Sequence, residues 1–340
     1  MSTTTLHELI EVPPYVGLEL VPVACALCGA DDGEPVAVGE DFEYRTSADS
    51  FLAVRCRRCG LLYLSPRPTA RELPRIYPST YHAFDFSPER FGFVYRVRRA
   101  LETRRALAWC RGLPPAARVI DIGCGDGFHL KLLRAVNPDG WTLEGIDSSM
   151  RAVAAARAHD LTVHLGTIET VDLPEAEYDL ALLIATIEHV ADPVGVLAAV
   201  HRLLRPGGRA ILVTDNANAP DFRLFGGRHW GGYHFPRHWN LFTRETLAAL
   251  ANRAGLEVVS IETTMSPVNW VYSLRNALDD WGAPRWIVNR FSLRSPVSLA
   301  AFTVVDTLCQ LLGAGALLRA SLRRPLPYAD ASYPPLSVAI

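Results

Sequence analysis

The sequence predicts an α/β protein whose central element is a mainly parallel β-sheet covered by helices on both faces. Two observations carry this prediction. Short, almost wholly apolar runs alternate with helical patterns between residues 117 and 215, and a glycine-rich turn directly follows the first run. Continuous apolar strands are typical of parallel sheets, because both faces of such a sheet are buried. The chain has 340 residues, of which 49% are apolar and 21% charged, so the composition is globular and excludes disorder, collagen and coiled coil as the dominant state.

The elements follow in order along the chain. Strands are predicted at 117–122, 141–147, 161–166, 178–186, 209–215 and 256–263. Helices are predicted between or after them at 127–136, 149–158, 193–204 and 243–254. Pro206-Gly207-Gly208 indicates a tight turn into the fifth strand. Upstream, Ser87-Pro88-Glu89 carries the signals of a helix start, and an arginine-rich helix is predicted from Pro88 to Cys110.

Four regions follow from this order. Residues 20–65 form a small β-rich module that carries cysteines, residues 66–114 a linker with the arginine-rich helix, and residues 115–265 the sheet core. Residues 266–340 form an apolar, helical region that covers the substrate, in which 336–340 could be a last strand.

One segment of this last region raises the question of a membrane. Pro296 to Ala316 is apolar but carries Asp306 and Gln310 mid-span. The aspartate alone would cost ~2.5–3.5 kcal/mol in a lipid-facing helix. We therefore expect a buried or substrate-covering helix there.

Charge and cysteine content narrow the function classes. Lys and Arg total 34 and Asp and Glu total 36, so the net charge is -2, whereas proteins that wrap nucleic acid are usually basic. The N-terminus shows no signal peptide, which predicts a cytoplasmic location, and seven cysteines argue against a disulfide framework. Neither nucleic-acid binding nor stable membrane insertion is expected, and a homo-oligomer is left open.

The sharpest motif is the turn after the first apolar run, Asp121-x-Gly123-x-Gly125-x-Gly127. Glycines there let the backbone approach a ligand, and the helix that follows presents unpaired N–H groups. The spacing is not that of the dinucleotide fingerprint, and an acid before the first glycine suits a ligand that carries an ammonium group. This motif resembles the first motif of the class I S-adenosylmethionine (SAM)-dependent methyltransferases.

The resemblance extends over residues 115–265 and includes YDLALLIATIEHVADP and LLRPGGRAILVT. It implies a Rossmann-like, seven-stranded sheet and SAM as the methyl donor. Asp147 stands where the family places the acid that holds both ribose hydroxyls, and Thr167 and Ile168 stand where the adenine packs. Thr186, at the end of the fourth predicted strand, completes the predicted SAM-binding residues. Many members have an acid near Thr167, so a hydrogen bond to adenine is not implied.

The second signal is a pair of C-x-x-C-G motifs. Cys25, Cys28, Cys56 and Cys59 have the spacing of a tetrahedral zinc site, and a closed set of four thiolates predicts a structural role. Iron–sulfur binding, thiol redox chemistry and chance spacing are the alternatives. The arrangement resembles the N-terminal zinc-binding module of methyltransferases from sugar and natural-product pathways, which implies that it helps to shape the acceptor site.

The third signal is the loop Trp230–Phe242, rich in Gly, His and Trp, after the fifth strand. Tyr233, His234 and His238 are candidates for proton transfer, and a histidine near neutral pKa suits a general base. Pro236-Arg237-His238 matches a motif of the same methyltransferase subgroup, while His234 stands where many members have an acid. His189, after the fourth strand, is a further candidate. A structural loop in which histidines cap backbone groups is the alternative.

Together these motifs predict methyl transfer from SAM to oxygen or carbon, or to nitrogen, of a small polar metabolite. A sugar nucleotide or a secondary-metabolite intermediate is the expected class. In-line displacement at a sulfonium needs mostly alignment, and a His or Tyr base only where the acceptor must lose a proton. The alternatives are an RNA methyltransferase that grips phosphates with the zinc module and the arginine-rich helix, a non-catalytic SAM- and zinc-binding scaffold, and an enzyme that meets a lipid acceptor at a membrane.

Overall fold

The structure, a computed structural model, describes residues 17–84, 86–137 and 140–327. The strands in these ranges are β1 (Leu20–Val21), β2 (Gly33–Gly39), β3 (Phe51–Cys56), β4 (Leu62–Leu64), β5 (Arg67–Pro68), β6 (Arg118–Ile122), β7 (Thr142–Asp147), β8 (Thr162–Leu165), β9 (Tyr178–Ile184), β10 (Leu204–Asp215), β11 (Asn240–Leu241), β12 (Glu257–Thr264) and β13 (Leu317–Arg323). The helices are α1 (Leu73–Ile76), α2 (Pro88–Trp109), α3 (Phe128–Val136), α4 (Met150–Arg157), α5 (Pro193–Leu203), α6 (Pro220–Phe225), α7 (Arg244–Arg253), α8 (Val268–Asp280), α9 (Arg285–Val288) and α10 (Pro296–Leu311).

The central sheet has seven strands in the order β12-β13-β10-β9-β6-β7-β8. The pairs from β10 to β8 are parallel, and β13 pairs antiparallel with both β10 and β12. The predicted mainly parallel, seven-stranded α/β fold is therefore confirmed. The predicted turn at Pro206-Gly207-Gly208 lies inside β10, where the register with β9 breaks between Leu204 and Arg209.

The seventh strand, β13, comes from a part of the chain that the prediction assigned to the helical C-terminal region. Leu318, Ala320 and Leu322 are buried in it, whereas Arg319 and Arg323 form ion pairs with acids on β12. Its apolar residues alternate with polar ones, so it lacks the continuous apolar run that marked the other strands. The sheet thus extends beyond the predicted boundary at residue 265, and the segment 336–340, predicted as a possible last strand, lies outside the described residues.

The N-terminal module contains a second sheet, in the order β11-β4-β3-β2. Its edge strand β11 belongs to the loop after β10, and Asn240 and Leu241 pair with Tyr63 and Leu62 of the module. A shared hydrophobic core joins the module to this loop; among its members are Phe51, Leu64, Trp230, Phe235 and Trp239. The module and the loop after β10 are therefore one packed unit.

Two helices, α2 and α10, carry exposed apolar side chains. The prediction placed α2 correctly, but the helix is broken at Gly92, whose φ is 51°. In α10 only Ser298 and Asp306 are buried, so of the two alternatives expected there the structure excludes a buried helix, and a substrate-covering helix stays a prediction. The carboxylate of Asp306 instead accepts hydrogen bonds from the indole of Trp270 and the backbone N–H groups of Ser266 and Ala316.

That network explains why a charged residue interrupts this apolar segment: it ties α10 to α8 and to the start of β13. Within the described ranges, no helix has both the length and the apolar character needed to cross a bilayer.

Candidate active site

A cavity of about 620 Å³ opens at the carboxyl edge of β6, β9 and β10. Open α/β sheets bind ligands at this edge, because the loops after parallel strands converge there. Three groups of residues meet in it: the glycine turn after β6, the pair Glu188-His189 after β9, and the loop after β10 with His234 and His238.

The glycine turn requires glycine for steric reasons. Gly123 has φ 73°, and a Cβ added there would lie 2.6 Å from the hydroxyl oxygen of Thr186. Gly125 has φ 56°, and its Cβ would lie 2.8 Å from the carbonyl oxygen of Ala83. Gly127, the residue before α3, would place a Cβ 2.3 Å from Leu161. The Thr186 hydroxyl donates to the carbonyl of Ile122 over 2.9 Å and so fixes the end of β9 beside the turn.

Asp121, at the end of β6, is buried, and its Oδ2 has no hydrogen-bond partner among the described residues. Burial raises the pKa of its carboxyl to about 6. Burial outweighs the charge of His129, and no cation in the part of the chain that the structure describes forms an ion pair with this carboxyl. A ligand with an ammonium group would supply that partner.

Asp147, at the end of β7, faces the same turn. Its carboxylate accepts hydrogen bonds from the N–H of Gly125 over 2.9 Å and of Ser149 over 2.8 Å. Thr167 and Ile168 follow β8, where Thr167 bonds with Thr170 and Ile168 is buried in the core. Asp147, Thr167 and Ile168 lie beside the main cavity and do not line it.

His234 is held in an unusual conformation. Its φ is 40°, and a non-glycine residue in the left-handed region often marks a functional site. Its Nδ1 lies 2.5 Å from Oε2 of Glu43, and its Nε2 is buried without a hydrogen-bond partner in the described chain. Burial lowers the pKa of His234 although the charge of Glu43 opposes this effect.

We assign His234 as a neutral imidazole on these grounds. Burial alone would raise the pKa of Glu43, but the hydrogen bond that the carboxylate accepts from His234, with the nearby charge of Arg237, lowers that pKa and keeps the carboxyl ionised. Nδ1–H then donates to Glu43, and the lone pair of Nε2 is left for a ligand.

The pKa of His238 is shifted in the opposite direction. Its Nδ1 lies 2.8 Å from the carbonyl oxygen of Gly232 and 3.2 Å from Oδ2 of Asp215. Burial would lower the pKa of His238, but the hydrogen bond and charge of Asp215, with the charge of Glu188, raise it. Burial also raises the pKa of Glu188, whose Oε2 accepts a hydrogen bond from Thr214 over 2.9 Å. His238 is therefore the imidazole that tends to be cationic.

The other two predicted proton-transfer residues lie differently. His189 lines the cavity, with Nδ1 3.0 Å from the hydroxyl of Tyr77 and 3.1 Å from the carbonyl oxygen of Arg237, and burial holds its pKa well below the ordinary value. Tyr233 does not line the cavity: its hydroxyl donates to the carbonyl of Gly226, and its ring stacks on Phe235. Burial raises the pKa of Tyr233 further above its usual range.

A buried ion pair anchors the histidine loop to the N-terminal module. Arg237 is fully buried, and its guanidinium donates to both carboxylate oxygens of Asp41, over 3.1 and 2.8 Å. Its Nε donates to the carbonyl of Ile76 over 2.7 Å. A bidentate contact of this kind fixes orientation as well as distance, so the module determines where His234 and His238 lie.

The sequence did not point to several of these residues. Asp41 and Glu43 come from the segment between β2 and β3, and Tyr77, Tyr81 and His82 come from the segment between α1 and α2. Tyr81, His82 and Glu43 line the cavity. No spacing or motif marks them, because Asp41, Glu43 and Tyr77 act through partners more than 100 residues away in the chain, and His82 bonds to Tyr44 in the N-terminal module.

The four predicted cysteines come together in the module. Cys25 Sγ lies 3.4 Å from Cys59 Sγ, Cys28 Sγ lies 3.5 Å from Cys56 Sγ, and all four sulfurs lie within 4.8 Å of one another. No disulfide joins them. Tetrahedral zinc with sulfur at about 2.3 Å would separate the sulfurs by about 3.8 Å. The arrangement therefore fits a four-thiolate metal site.

Comparisons with known proteins agree with this geometry. Residues 93–261 match the family described as a methyltransferase domain. The chain is 34% identical over 176 residues to the ubiquinone biosynthesis O-methyltransferase of Pseudomonas aeruginosa (strain LESB58), which covers 48% of this chain and 74% of the relative. The chain belongs to the class I SAM-dependent methyltransferases.

The enzyme of the same name from Cereibacter sphaeroides (strain ATCC 17025 / ATH 2.4.3) is 32% identical to this methyltransferase over 169 residues, which is 46% of this chain and 67% of that one. A solved SAM-dependent methyltransferase from Archaeoglobus fulgidus is 17% identical and covers 69% of this chain and 97% of the other, with a TM-score of 0.46. The predicted family, enzyme class and methyl donor are confirmed.

Proposed function

We propose that this methyltransferase transfers the methyl group of SAM to a hydroxyl oxygen of a small metabolite, with His234 as the general base. The observation that carries the proposal is the unpartnered Nε2 of His234, in a residue that lines the same cavity as Gly123 and Gly125. A hydroxyl must lose its proton on methylation, and a neutral imidazole at the acceptor end can accept that proton. The relatives support oxygen as the acceptor atom, since their names describe O-methyltransferases.

The residues around the glycine turn fit SAM. In this proposal the unpartnered carboxylate of Asp121 binds the ammonium group, and the backbone of Gly123, Gly125 and Gly127 leaves room for the ligand. Asp147 accepts hydrogen bonds from the ribose hydroxyls, with Thr167, Ile168 and Thr186 as the remaining SAM-binding residues. Bound SAM supplies a methyl group that is already activated by its sulfonium charge, and the protein's contribution is alignment.

In this proposal the three histidines at the acceptor end have different roles. His234 takes the acceptor proton on Nε2, while Glu43, as a positioning residue, keeps Nδ1 protonated. Cationic His238 stabilises the negative charge that develops on the acceptor oxygen as the proton leaves. His189 remains neutral and orients the acceptor, and our proposal leaves Tyr233 out because its hydroxyl is engaged in the core.

The cysteine cluster holds a structural zinc ion in this proposal. Cys25, Cys28, Cys56 and Cys59 fill all four positions of a tetrahedral site, so the metal has no open position for substrate. It stabilises the module that carries Asp41 and Glu43. Because the module resembles that of methyltransferases from sugar and natural-product pathways, we propose an acceptor from a pathway of this kind.

The proposal is tested with His234→Asn. Asparagine tolerates the left-handed conformation and keeps a group near Nδ1, but it has no counterpart of Nε2. We expect kcat to fall about 100- to 10,000-fold, with the affinity for labelled SAM unchanged. Product formation is measured as a mass gain of one methyl on a panel of hydroxylated metabolites.

His229→Asn is the matched control, because His229, the residue directly before the same loop, also pairs with a carboxylate, Asp280 at 2.8 Å, but does not line the cavity. It should leave kcat unchanged. Equal activity of His234→Asn and the wild type would contradict the role of His234, and failure of the wild type to bind SAM would contradict the function as a whole.

A further inference from the structure

The cavity has a second arm that the methyl-transfer chemistry does not use. From the histidines and the glycine turn it continues between α2 and α10 and beneath the connection from β12 to α8. Its walls include Phe93, Val97 and Leu101 of α2 and Leu299 and Ala300 of α10. The arm and the acceptor site belong to one cavity.

The charged residues in this arm already have partners. Arg105 donates to Glu102 over 2.8 Å and to the carbonyl of Met265 over 2.9 Å. The guanidinium of Arg98 lies 4.4 Å from the ring centroid of Phe86. With Arg105 paired to Glu102 and Arg98 lying over an aromatic ring, the apolar side chains dominate the surface that a ligand in the arm would meet.

The arm is open along one side. Phe93 is 58% exposed and Leu101 40% exposed, although both line the cavity. Exposed apolar side chains that also line a cavity fit a ligand-binding groove. Burying them under a ligand would contribute roughly 25 cal/mol per Å² of apolar surface.

SAM does not account for this arm. The residues assigned to ribose and adenine do not line the cavity, so in the proposed binding mode the nucleoside of SAM leaves the arm unoccupied. A volume of about 620 Å³ also lies within the ~300–1,000 Å³ range of sites for drug-sized ligands. The remaining occupant is the acceptor.

We propose that the acceptor carries an apolar chain, and that this chain lies between α2 and α10 while its hydroxyl end meets His234 and His238. The proposal rests on the function proposed above and refines the expectation of a small polar acceptor: polarity is confined to the reacting end. Aliphatic, prenyl and reduced polyketide chains share the required chemistry.

The test uses 4-alkylphenols with chains of two to ten carbons as probes, in the presence of S-adenosylhomocysteine. We expect the dissociation constant to fall about fourfold per added CH₂, equivalent to ~0.8 kcal/mol, until the arm is filled. Binding is measured by calorimetry. Equal affinity across the series, or no binding of the ten-carbon phenol, would overturn the proposal.

Ala300→Trp blocks the arm, and Ala301→Trp is its matched control, because Ala301 is an exposed neighbour on the same helix that does not line the cavity. The dependence on chain length should disappear in Ala300→Trp and remain in Ala301→Trp. Labelled SAM should bind all three proteins, and its loss from the wild type would instead refute the proposed function. A dimer that Ala300→Trp dissociates, with no dependence on chain length in the wild type, would make the groove an interface between copies of this chain and overturn the proposal.

Discussion

The two ends of the cavity are built in different ways. At the donor end, Gly123 and Gly125 line the cavity in the turn after β6, Asp121 lies within β6 just before them, and Asp147 ends the adjacent strand. At the acceptor end, His234 depends on Glu43, Arg237 depends on Asp41 and Ile76, and His189 depends on Tyr77. The donor end is determined by local backbone geometry, whereas the acceptor end is determined by buried contacts between distant segments.

From this difference we can predict how substitutions at the acceptor end affect the donor end. The loop is held by buried ion pairs to the N-terminal module, whereas the turn after β6 is fixed by its own glycines. Damage to the module should therefore abolish acceptor chemistry and leave SAM binding largely intact.

Loss of the zinc site should give the largest difference between the effect on methyl transfer and the effect on SAM affinity. Structural zinc contributes about 10–16 kcal/mol of folding free energy in small zinc modules. Cys28→Ser combined with Cys59→Ser should lose the metal and disorder the module, so that methyl transfer falls to background while SAM affinity changes far less. Metal analysis, turnover and labelled-SAM binding measure the three effects.

The control is Cys309→Ser, since Cys309 is a free cysteine on α10 outside the cluster. Should metal analysis find no zinc in the wild-type protein, the structural-zinc proposal is wrong; a parallel loss of SAM affinity would refute the independence of the two ends.

Breaking the Arg237–Asp41 pair should have the next largest effect. Asp41→Asn leaves a fully buried guanidinium without its counter-charge, and loss of one partner of a buried pair costs about 3–5 kcal/mol. Urea unfolding measures the change in the free energy of unfolding. Asp32→Asn is the matched change in the same module, because Asp32 pairs with Arg57 at the surface, and it should cost at most about 1 kcal/mol. Equal costs for the two variants would show that the anchor does not stabilise the loop.

At the donor end, Asp121→Asn removes a buried charge but keeps the side-chain shape. We expect SAM to bind about 10- to 100-fold more weakly, since a hydrogen bond to a charged group contributes ~1.5–3 kcal/mol. Because the pKa of Asp121 is raised to about 6, SAM affinity of the wild type should also fall as the pH drops through that value and the carboxyl is protonated.

Glu175→Gln, a change at an exposed acid paired with Arg202, should not affect SAM binding. The 4-alkylphenols should bind Asp121→Asn as they bind the wild type. If they lose affinity to the same degree as SAM, the two ends are not separate.

Glu43→Gln should have the smallest effect. Since the charge of Glu43 raises the pKa of His234, its removal should lower that pKa and move the acid limb of kcat/KM to lower pH. Glu40→Gln is the control, because Glu40 pairs with Arg228 and not with a cavity histidine. An acid limb that stays in place in Glu43→Gln would show that His234 is not the group that titrates in catalysis.

The sequence was informative where structure is local. Apolar strands, glycine spacing and the acid before the first glycine predicted the sheet, the family and the donor. β13 was missed because its buried residues alternate with polar ones, among them two arginines that form ion pairs with acids on the edge strand β12. Glu43, Asp41 and Tyr77 were missed because a side chain that acts through a distant partner leaves no pattern in its own segment.

Tyr233 shows the opposite error: the sequence suggested a functional residue where the structure places the side chain in a packed core. It stands in a loop rich in titratable groups, yet its hydroxyl bonds to Gly226 and its ring packs on Phe235. Residue type alone did not distinguish a proton donor from an aromatic residue that closes the shared core. The three-dimensional course of the loop is needed to distinguish the two roles.

The pairing of β11 with β4 has a consequence for how the protein is made. During synthesis, residues 20–65 emerge from the ribosome long before Asn240 and Leu241, which complete their sheet. Domains usually fold as units in the order of their synthesis, but this one must wait with an open edge until most of the chain has been translated. Grafting these residues onto another enzyme would therefore transfer an incomplete fold unless the returning strand were moved with them.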